Sequence, residues 1–421
     1  MIHLIVHYHL RNGGVGAVIR REIDALQALG QNVCLLTGQK NVDVPCRAIY
    51  VAGLDYADTA AIAQDSVELL WRKVQASVGF ITGKVVWHLH NPTLGCHRYW
   101  SAIAAMIAAR GERMIYHIHD FAEDGRAENL AVLDGLHDLY PMGERIRYVV
   151  LSRRDAAALQ SAGLPAEWCH VVPNPVAENP LPKRDGETVF ALFPTRGIDR
   201  KNLGELCLLA ALAGDGVRFA TTLHPGLSRH QEQYGFWRQL ARDLRLPIDF
   251  GVVEEQGGDL LDWLRRATHV VSTSRQEGFG MVFVESVAWG RPMIGRAIPH
   301  VDQDLREVYG VRHPYLYDEI VDENGRDFST LSMADAAKWI AAVREGKGSV
   351  RVVRHGVMRQ AGEWLTEAMA NRQAFDPRCL AAFDAMEHGR CLMRIVAEIT
   401  DGEMGEVRYL NRQRMEEFFQ L

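Results

Sequence analysis

The segment that decides the fold is IHLIVHYHLRNGGVGAVIRREIDALQALG, residues 2–30. Its apolar run Ile2–Val6 is short and ends at turn residues, which indicates a buried strand. After a glycine-rich turn, Ile19, Ile23 and Leu26 recur at helical spacing, as expected of a helix with one buried face. The segment therefore predicts a strand, a turn and an amphipathic helix, which is the repeating unit of a parallel sheet.

The same alternation continues along the chain. Further apolar runs in the first part are Val33–Leu36, Val85–His90, Met114–His119 and Tyr148–Leu151. The stretch 169–185 contains four prolines, which favour extended backbone and indicate a linker between domains. Beyond it, strands are predicted at Val189–Phe193, Arg218–Leu223, Ile248–Gly251 and His269–Ser272, with helices at Leu203–Ala213 and Trp237–Leu246.

These patterns predict an α/β protein with two doubly wound, Rossmann-like domains that face each other across a cleft. We expect residues 1–178 to form the first domain and residues 179–399 the second. The remaining segment, roughly 400–421, is helical in pattern and is expected to pack back on the first domain. Ligands of such sheets bind at the carboxyl ends of the strands.

Composition restricts the function classes. The 421 residues carry a net charge of −6, so general electrostatic attraction to nucleic acid or to an anionic membrane is not supported. The seven scattered cysteines contain no paired spacing, which favours a reducing compartment. The start MIHLIVHYHL lacks a basic leader, and no apolar stretch approaches the ~20 residues of a membrane span. We expect a cytoplasmic protein.

Two turns could hold phosphate groups. The turn Arg11–Gly16 joins the first strand to its helix, where backbone N–H groups and the helix dipole favour an anion. Glycines required only for tight packing would look the same. The loop after Val189–Phe193 carries Arg196, Arg200 and Lys201 at a strand end. These cations either neutralise a diphosphate or form an ordinary solvated basic loop.

The stretch STSRQEGFGMVFVESVAWG, residues 272–290, combines two glutamates with a glycine-rich turn. Glu277 lies in that turn, where Gly278 and Gly280 would allow close approach to a ligand. Glu285 falls inside an apolar helical pattern, where an unpaired carboxylate would be costly. A vicinal diol such as that of ribose would be a suitable partner, whereas a role at the helix N-terminus would place the glutamate one turn earlier.

Three features leave their alternatives open. The His-x-His pairs, His88 with His90 and His117 with His119, could hold zinc, but we expect backbone groups to satisfy them and no metal to bind. The acidic run 120–129 could bind acceptor hydroxyls or be a solvated loop. The stretch 97–113 could touch a membrane, although a packed helix is favoured because the protein is acidic overall.

Together these motifs resemble the retaining GT-B glycosyltransferases of family four, also called group one, which include relatives of glycogen synthase and sucrose synthase. The likeness follows the family's order over essentially the whole chain. It is carried by the Gly-Gly loop at 13–16, His119 with Asp120, Pro173-Asn174-Pro175-Val176, Arg196 with Lys201, and Glu277 with Glu285 around Gly-Phe-Gly. The last two pairs are the most specific.

The resemblance implies a role for each matching residue. In such an enzyme Arg196 and Lys201 would hold the donor diphosphate, Glu285 the ribose, and Glu277 the donor sugar. The remaining implied contacts are His119 with the sugar; Gly14, Val15, Gly16, Gly278, Phe279, Gly280, Met281 and Val282 with the sugar or phosphate; and Asp120 and Asn91 on the acceptor side.

The implied substrates are a nucleotide-diphosphate sugar, such as a UDP- or GDP-sugar, and a sugar, glycan or lipid-linked acceptor. Transfer would retain configuration and need neither a cofactor nor a metal. The chain has Asn202 where many members have glycine, and an additional Arg200, so the donor base and sugar stay open. Alternatives are a glycoside phosphorylase or a nucleotide-sugar epimerase of the same fold, and a non-catalytic sugar-nucleotide-binding protein.

Overall fold

The computed structural model describes residues 1–11, 13–55, 66–182, 189–372, 376–399 and 405–420. The chain forms two compact units, residues 1–176 together with 381–421, and residues 177–380. Among the described residues, no helix combines the length and apolar character required to cross a bilayer.

The first unit is built on a seven-stranded parallel sheet with the order β3-β2-β1-β4-β5-β7-β8. The strands are β1 (Ile2–His7), β2 (Asn32–Thr37), β3 (Arg47–Tyr50), β4 (Val85–His90), β5 (Arg113–His117), β6 (Pro141–Met142), β7 (Ile146–Val150) and β8 (Cys169–Val171). The helices are α1 (Gly14–Ala28), α2 (Val67–Val78), α3 (Arg98–Ala109), α4 (Ala127–Val132) and α5 (Arg153–Ser161). Trp100, Ile103 and Ile107 of α3 are buried in the core, as expected of a packed helix.

The second unit contains a six-stranded parallel sheet with the order β11-β10-β9-β12-β13-β14, and a small antiparallel sheet, β15-β16-β17. The strands are β9 (Val189–Arg196), β10 (Val217–Leu223), β11 (Ile248–Asp249), β12 (His269–Ser272), β13 (Met293–Arg296), β14 (Tyr315–Tyr317), β15 (Glu319–Val321), β16 (Arg351–Arg354) and β17 (Val357–Gln360). The helices are α6 (Leu203–Leu212), α7 (Gln231–Asp243), α8 (Val252–Gln256), α9 (Leu260–Arg266), α10 (Met281–Ala288), α11 (Pro299–Glu307), α12 (Met333–Arg344) and α13 (Ala361–Ala370).

The chain then returns to the first unit through α14 (Ala385–Glu398), β18 (Arg408–Tyr409) and α15 (Arg412–Gln420). Helix α14 packs closely on α1 because Gly389 has no side chain: a Cβ there would lie 3.1 Å from that of Ala25. Leu392 and Ile395 share a buried cluster with residues of α1. Residues 381–399, which the sequence-based division gave to the second domain, thus lie in the first unit, and residues 400–404 are outside the described part.

The large sheet of the second unit has the strand order 3-2-1-4-5-6 of doubly wound folds, and that of the first unit has the same order with a seventh strand at the β8 edge, so the predicted fold class is confirmed. In that order the chain builds the sheet towards one edge from its first strand and towards the opposite edge from its fourth strand. Ligands bind beside the carboxyl ends of these two strands. The expected binding edges are therefore at β1 and β4 in the first unit, and at β9 and β12 in the second.

Candidate functional site

In the second unit, the loops that follow β9 and β12 meet at the predicted binding edge. The loop after β9 contains a short helical turn, Asp199–Lys201. The backbone N–H of Arg275, after β12, donates to the Arg200 oxygen at 2.9 Å. The Thr273 hydroxyl donates to the Lys201 oxygen at 3.0 Å. These hydrogen bonds hold the two loops together and fix the backbone positions from which their side chains extend.

Glu277 is the centre of this arrangement. Its carboxylate forms ion pairs with Lys201 and, at 2.8 Å, with Arg200, although only 8% of the residue is exposed. Burial by itself would raise the pKa of Glu277, but the two cations lower it to about 2. Arg200 also donates to the backbone oxygen of Gln276 at 2.9 Å, and His300 Nε2 lies 3.1 Å from the backbone oxygen of Glu277. The additional Arg200 of this chain thus positions the glutamate.

Arg196 and Glu285 lie on separate elements of the same unit. Arg196 ends β9, and its guanidinium donates to the His224 oxygen at 3.1 Å, in the loop after β10. Gly226 lies against this guanidinium, because a Cβ there would be 3.3 Å from Nη1. Glu285 is half-buried in the second turn of α10. Lys201 therefore contacts Glu277 directly, whereas Arg196 is held in place by the loop after β10.

The N-terminus of α10 has the features of an anion site. Gly280 precedes the helix with φ 72°, and no side chain caps the first turn. A Cβ at Gly280 would approach Val301 Cγ1 to 2.8 Å, so glycine is required for both conformation and space. Phe279 is buried, while Met281 and Val282 are half-buried. Phe283 N–H donates to the Gly280 oxygen at 2.9 Å, so the N–H groups of Met281 and Val282 are the ones of this turn that could face an anion.

A buried network that the sequence-based interpretation missed supports the loop after β9. Arg296, at the end of β13, donates to Glu205 at 2.9 and 2.8 Å, and the Tyr317 hydroxyl donates to the same carboxylate at 2.7 Å. Asn202 donates to Glu205 at 2.8 Å. Asn202 has φ 50°, a left-handed conformation that asparagine tolerates better than most residues, which accounts for its presence in place of glycine. The available signal was a glutamate in an otherwise apolar helix, LGELCLLAAL.

In the first unit, Asn91 organises the residues predicted on the acceptor side. It follows β4 with φ 51°. Its Oδ1 accepts from the backbone N–H of His119 at 2.7 Å and of Asp120 at 3.2 Å. Asp120 in turn forms an ion pair with Arg126. Asn91, His119 and Asp120 are therefore brought together after β4 and β5, although β5 ends at His117, two residues earlier than predicted.

The acidic run after His119 is held by ion pairs rather than left in solvent. Glu123 is buried, accepts from the Tyr140 hydroxyl at 2.9 Å and pairs with Arg412 of α15 at 2.8 Å. Asp124 pairs with Arg154 at 2.9 Å. These two carboxylates therefore have structural partners within the first unit, as Asp120 does in Arg126.

His119 itself is only 4% exposed. Its Nε2 lies 2.9 Å from His90 Nδ1, and its Nδ1 has no hydrogen-bond partner within the described ranges. Burial, together with nearby His90 and His7, holds the pKa of His119 well below its usual range, so the ring is neutral at pH 7. A neutral ring can donate a hydrogen bond or accept one from a hydroxyl.

The glycine turn after β1 leads directly into α1. This 15-residue helix begins at Gly14, and Gly13 offers no side-chain cap. Val15 is half-buried, and a Cβ at Gly16 would lie 3.0 Å from the Arg11 oxygen, so the turn requires a small residue there. Asn12, part of the predicted phosphate turn, lies outside the described residues. The helix N-terminus therefore faces the carboxyl edge of β1, as the phosphate prediction requires.

Comparison with solved structures shows the GT-B fold of glycosyltransferases. The chain aligns with sucrose-phosphate synthase from Thermosynechococcus elongatus at a TM-score of 0.61 and 15% identity, covering 94% of this chain and 99% of that one. It aligns with Anabaena HepE, solved with UDP and glucose, at a TM-score of 0.56 and 14% identity, covering 94% and 99%. At these identities the likeness shows the fold.

Sequence comparison gives one further similarity. The chain is 23% identical over 315 residues to mannosylglucosyl-3-phosphoglycerate synthase of Petrotoga mobilis, covering 67% of this chain and 62% of that protein. The match thus spans less than two thirds of that relative's length. No protein-family model matches the chain.

Proposed function

We propose that this protein is a retaining glycosyltransferase that moves a sugar from a nucleotide-diphosphate sugar to a hydroxyl acceptor, without a metal ion in the transfer step. The observation that carries the proposal is the joining of the loops after β9 and β12 through Glu277, Lys201 and Arg200. Two cations and a buried carboxylate lie at the binding edge of a doubly wound sheet. A UDP- or GDP-sugar is the expected donor, and we place the reaction in the cytoplasm.

The charges suit a donor that leaves as a diphosphate. Lys201 and Arg196 would neutralise the diphosphate, and the open N-terminus of α10 would add backbone N–H groups. Glu277 is ionised at pH 7, because the two cations beside it lower its pKa to about 2, and it would accept hydrogen bonds from sugar hydroxyls. Glu285, one turn into α10, would accept the ribose hydroxyls. Lys201, Arg196, Glu277 and Glu285 all belong to the second unit.

The transfer itself would be a front-face substitution. The acceptor hydroxyl forms a bond to the anomeric carbon on the side from which the diphosphate departs, the bond from that carbon to the phosphate oxygen breaks, and this oxygen takes the hydroxyl proton. Lys201 and Arg196 stabilise the charge that develops on the phosphate. His119, with Asn91 and Asp120 beside it, would bind donor and acceptor hydroxyls. Gly14, Val15 and Gly16 would let the backbone approach phosphate.

The comparisons support the donor class. HepE, which has the same fold, was solved with UDP and glucose and with UDP-glucose. The relative from Petrotoga mobilis is named a synthase of a mannosylglucosyl compound. A sugar or glycan acceptor fits these neighbours, and a lipid-linked acceptor would be tested separately.

Thermal-shift measurements against UDP, GDP, ADP and their sugars test donor binding, because a ligand of the folded state raises the melting temperature. Nucleotide release with candidate acceptors then measures turnover. Lys201→Ala should lower kcat by at least about 100-fold, since it removes a charge that stabilises the transition state. The matched control is Lys338→Ala, because Lys338 pairs with Asp335 on the exposed surface.

Near-normal turnover of the Lys201 variant would refute the proposed role of the lysine. Lack of a shift with any nucleotide or nucleotide sugar would refute donor binding. Sugar phosphate formed from inorganic phosphate and a glycoside, without nucleotide, would favour the phosphorylase. Binding without product in any acceptor screen would favour a non-catalytic protein.

A further inference from the structure

A buried cluster of histidines surrounds one glutamate in the first unit, near the carboxyl ends of β4 and β5. Its members come from α1, β4, β5, the residues after β5, and α14, and we name them the Glu22 cluster. They are Glu22, His88, His90, His117, His119 and His388, none more than 4% exposed. A buried carboxylate requires compensation, so each of its neighbours has to be accounted for.

Four imidazole nitrogens face the carboxylate of Glu22. Oε1 lies 3.3 Å from His88 Nδ1 and 3.5 Å from His90 Nε2. Oε2 lies 3.6 Å from His117 Nδ1 and 3.3 Å from His388 Nε2. The expectation that backbone groups satisfy the His-x-His pairs does not describe these rings, because the nitrogens face a side chain supplied by α1.

On the Oε1 side, neutral histidines can direct N–H groups towards the carboxylate, although His88 Nδ1 and His90 Nε2 do not meet hydrogen-bond geometry with Oε1 in the described part of the chain. His3 Nδ1 is 3.1 Å from His88 Nε2, so His3 can donate to His88, which then directs its remaining N–H towards Glu22. His119 Nε2 is 2.9 Å from His90 Nδ1 and permits the same sequence of donors. Each ring carries one proton, and each N–H faces an acceptor.

The Oε2 side cannot be satisfied in this way. His388 Nδ1 lies 3.1 Å from the Pro173 oxygen, and a carbonyl only accepts, so Nδ1 carries the proton of a neutral ring. A neutral His388 would then present an Nε2 lone pair to Oε2 at 3.3 Å, whereas an imidazolium would donate to both oxygens. Both nitrogens of His117 also have no hydrogen-bond partner in the described part of the chain. A cation would satisfy this side, either as a second proton on His388 or as a bound metal ion.

The distances fit a metal ion. One ligand atom each from Glu22, His117 and His388 lies within 4.8 Å of the other two. In a tetrahedral zinc site with bonds of about 2.1 Å, ligand atoms are about 3.4 Å apart, close to the separations found here. Imidazole and carboxylate are suitable ligands for zinc and related divalent ions. We propose that Glu22, His117 and His388 bind a divalent first-row transition metal ion of the zinc type.

The site would connect distant parts of the first unit, since its ligands come from α1, β5 and α14. The His117 ring stacks on that of His119, with 4.4 Å between centroids, so the ion would also fix the position of His119. The inference does not depend on the proposed transferase activity. An alternative set of His90, His117 and His119 also has ligand atoms within 4.8 Å, and it shares His117.

Metal content tests the proposal directly. The full chain, purified without a polyhistidine tag or chelator, should contain roughly one zinc ion per chain. Removal with dipicolinate should lower the melting temperature, and Zn²⁺ should restore it. Cobalt added to the apoprotein should give the visible absorption of a tetrahedral site. Apoprotein that takes up neither ion, with an unchanged melting temperature, would overturn the proposal in favour of a protonated His388.

Variants identify the ligands. His388→Gln should reduce the metal content to background, whereas His119→Gln should keep it; the opposite result would assign the ion to the alternative set and refute ours. His269→Gln is the matched control, because His269 is buried in the second unit with Nε2 3.0 Å from the Asn371 oxygen.

A second variant keeps the test decisive if His388→Gln does not fold. His388→Cys replaces one zinc ligand with another, so its cobalt form should gain a thiolate-to-metal charge-transfer band that the parent protein lacks. Cobalt uptake by this variant without that band would show that residue 388 is not a ligand.

Discussion

Replacing Glu277 with glutamine removes the charge that Lys201 and Arg200 share. The pKa of this carboxyl is lowered from 4.5 to about 2, which corresponds to roughly 3 kcal/mol of stabilisation of the ionised form in the folded state. We expect Glu277→Gln to lower the free energy of unfolding of the second unit by about 2–3 kcal/mol at neutral pH. Glutamine keeps the shape of the side chain, so the loss should be mainly electrostatic.

The pH dependence gives this prediction its sign. Because the folded-state pKa is depressed, the stabilisation is present above pH 4.5 and is lost as the pH falls towards about 2. The difference in free energy of unfolding between wild type and Glu277→Gln should therefore decrease by roughly 1 kcal/mol for each pH unit of acidification in that window. Urea unfolding followed by hydrogen exchange of second-unit peptides measures this unit by itself.

The matched control is Glu367→Gln. Glu367 pairs with Arg359 at 2.6 Å, but both side chains are more than 40% exposed. The control should lower the free energy of unfolding far less, because exposed ion pairs contribute little to stability. The electrostatic reasoning would be refuted if Glu277→Gln cost no more than the control, or if its effect did not narrow with acidification.

Other predictions concern strain, proton uptake and buried charge. Gly295→Ala should destabilise the second unit by about 3 kcal/mol or more in urea unfolding, because φ is 127° and the new Cβ would lie 2.0 Å from a backbone oxygen of β12. The control variant Gly362→Ala has open space around the new Cβ, so it should be neutral or slightly stabilising. Burial raises the pKa of Asp155 to about 7, so wild type, but not Asp155→Asn, should lose stability as pH rises from about 4 through 7 in urea titrations. Glu205→Gln should cost about 1–3 kcal/mol in urea unfolding, because Arg296 loses one charged partner and keeps its ion pair with Asp327.

The two sheets could be predicted because short apolar runs are typical of strands covered on both faces. The same reasoning placed the loops of Lys201 and Glu277 at strand ends. These two residues are in contact although 76 positions separate them in the sequence. The order of strands confirms the fold class, and it follows from connections that apolar runs alone do not specify. Arg200 was noted only as an additional cation, since its carboxylate partner is a tertiary feature.

Two other features required the tertiary structure. The amphipathic pattern of α14 shows that one face is buried, but not that Gly389 packs on α1 of the first unit. Glu22 lies three residues after Ile19, on the helix face that packs in the core, and a charged residue on such a face was the available signal. His88, His90 and His117 were recognised within the His-x-His pairs but His388 was not, and their acidic neighbour is far away in sequence.

The return of the chain to its first unit affects how a nascent polypeptide acquires structure. Glu22 and His388 are 366 residues apart, so α1 leaves the ribosome long before the helix that covers it. During synthesis, the apolar surface that later receives Leu392 stays open while the second unit, which is continuous in sequence, can already fold. The N-terminal sheet would therefore be completed only after α14 has been translated.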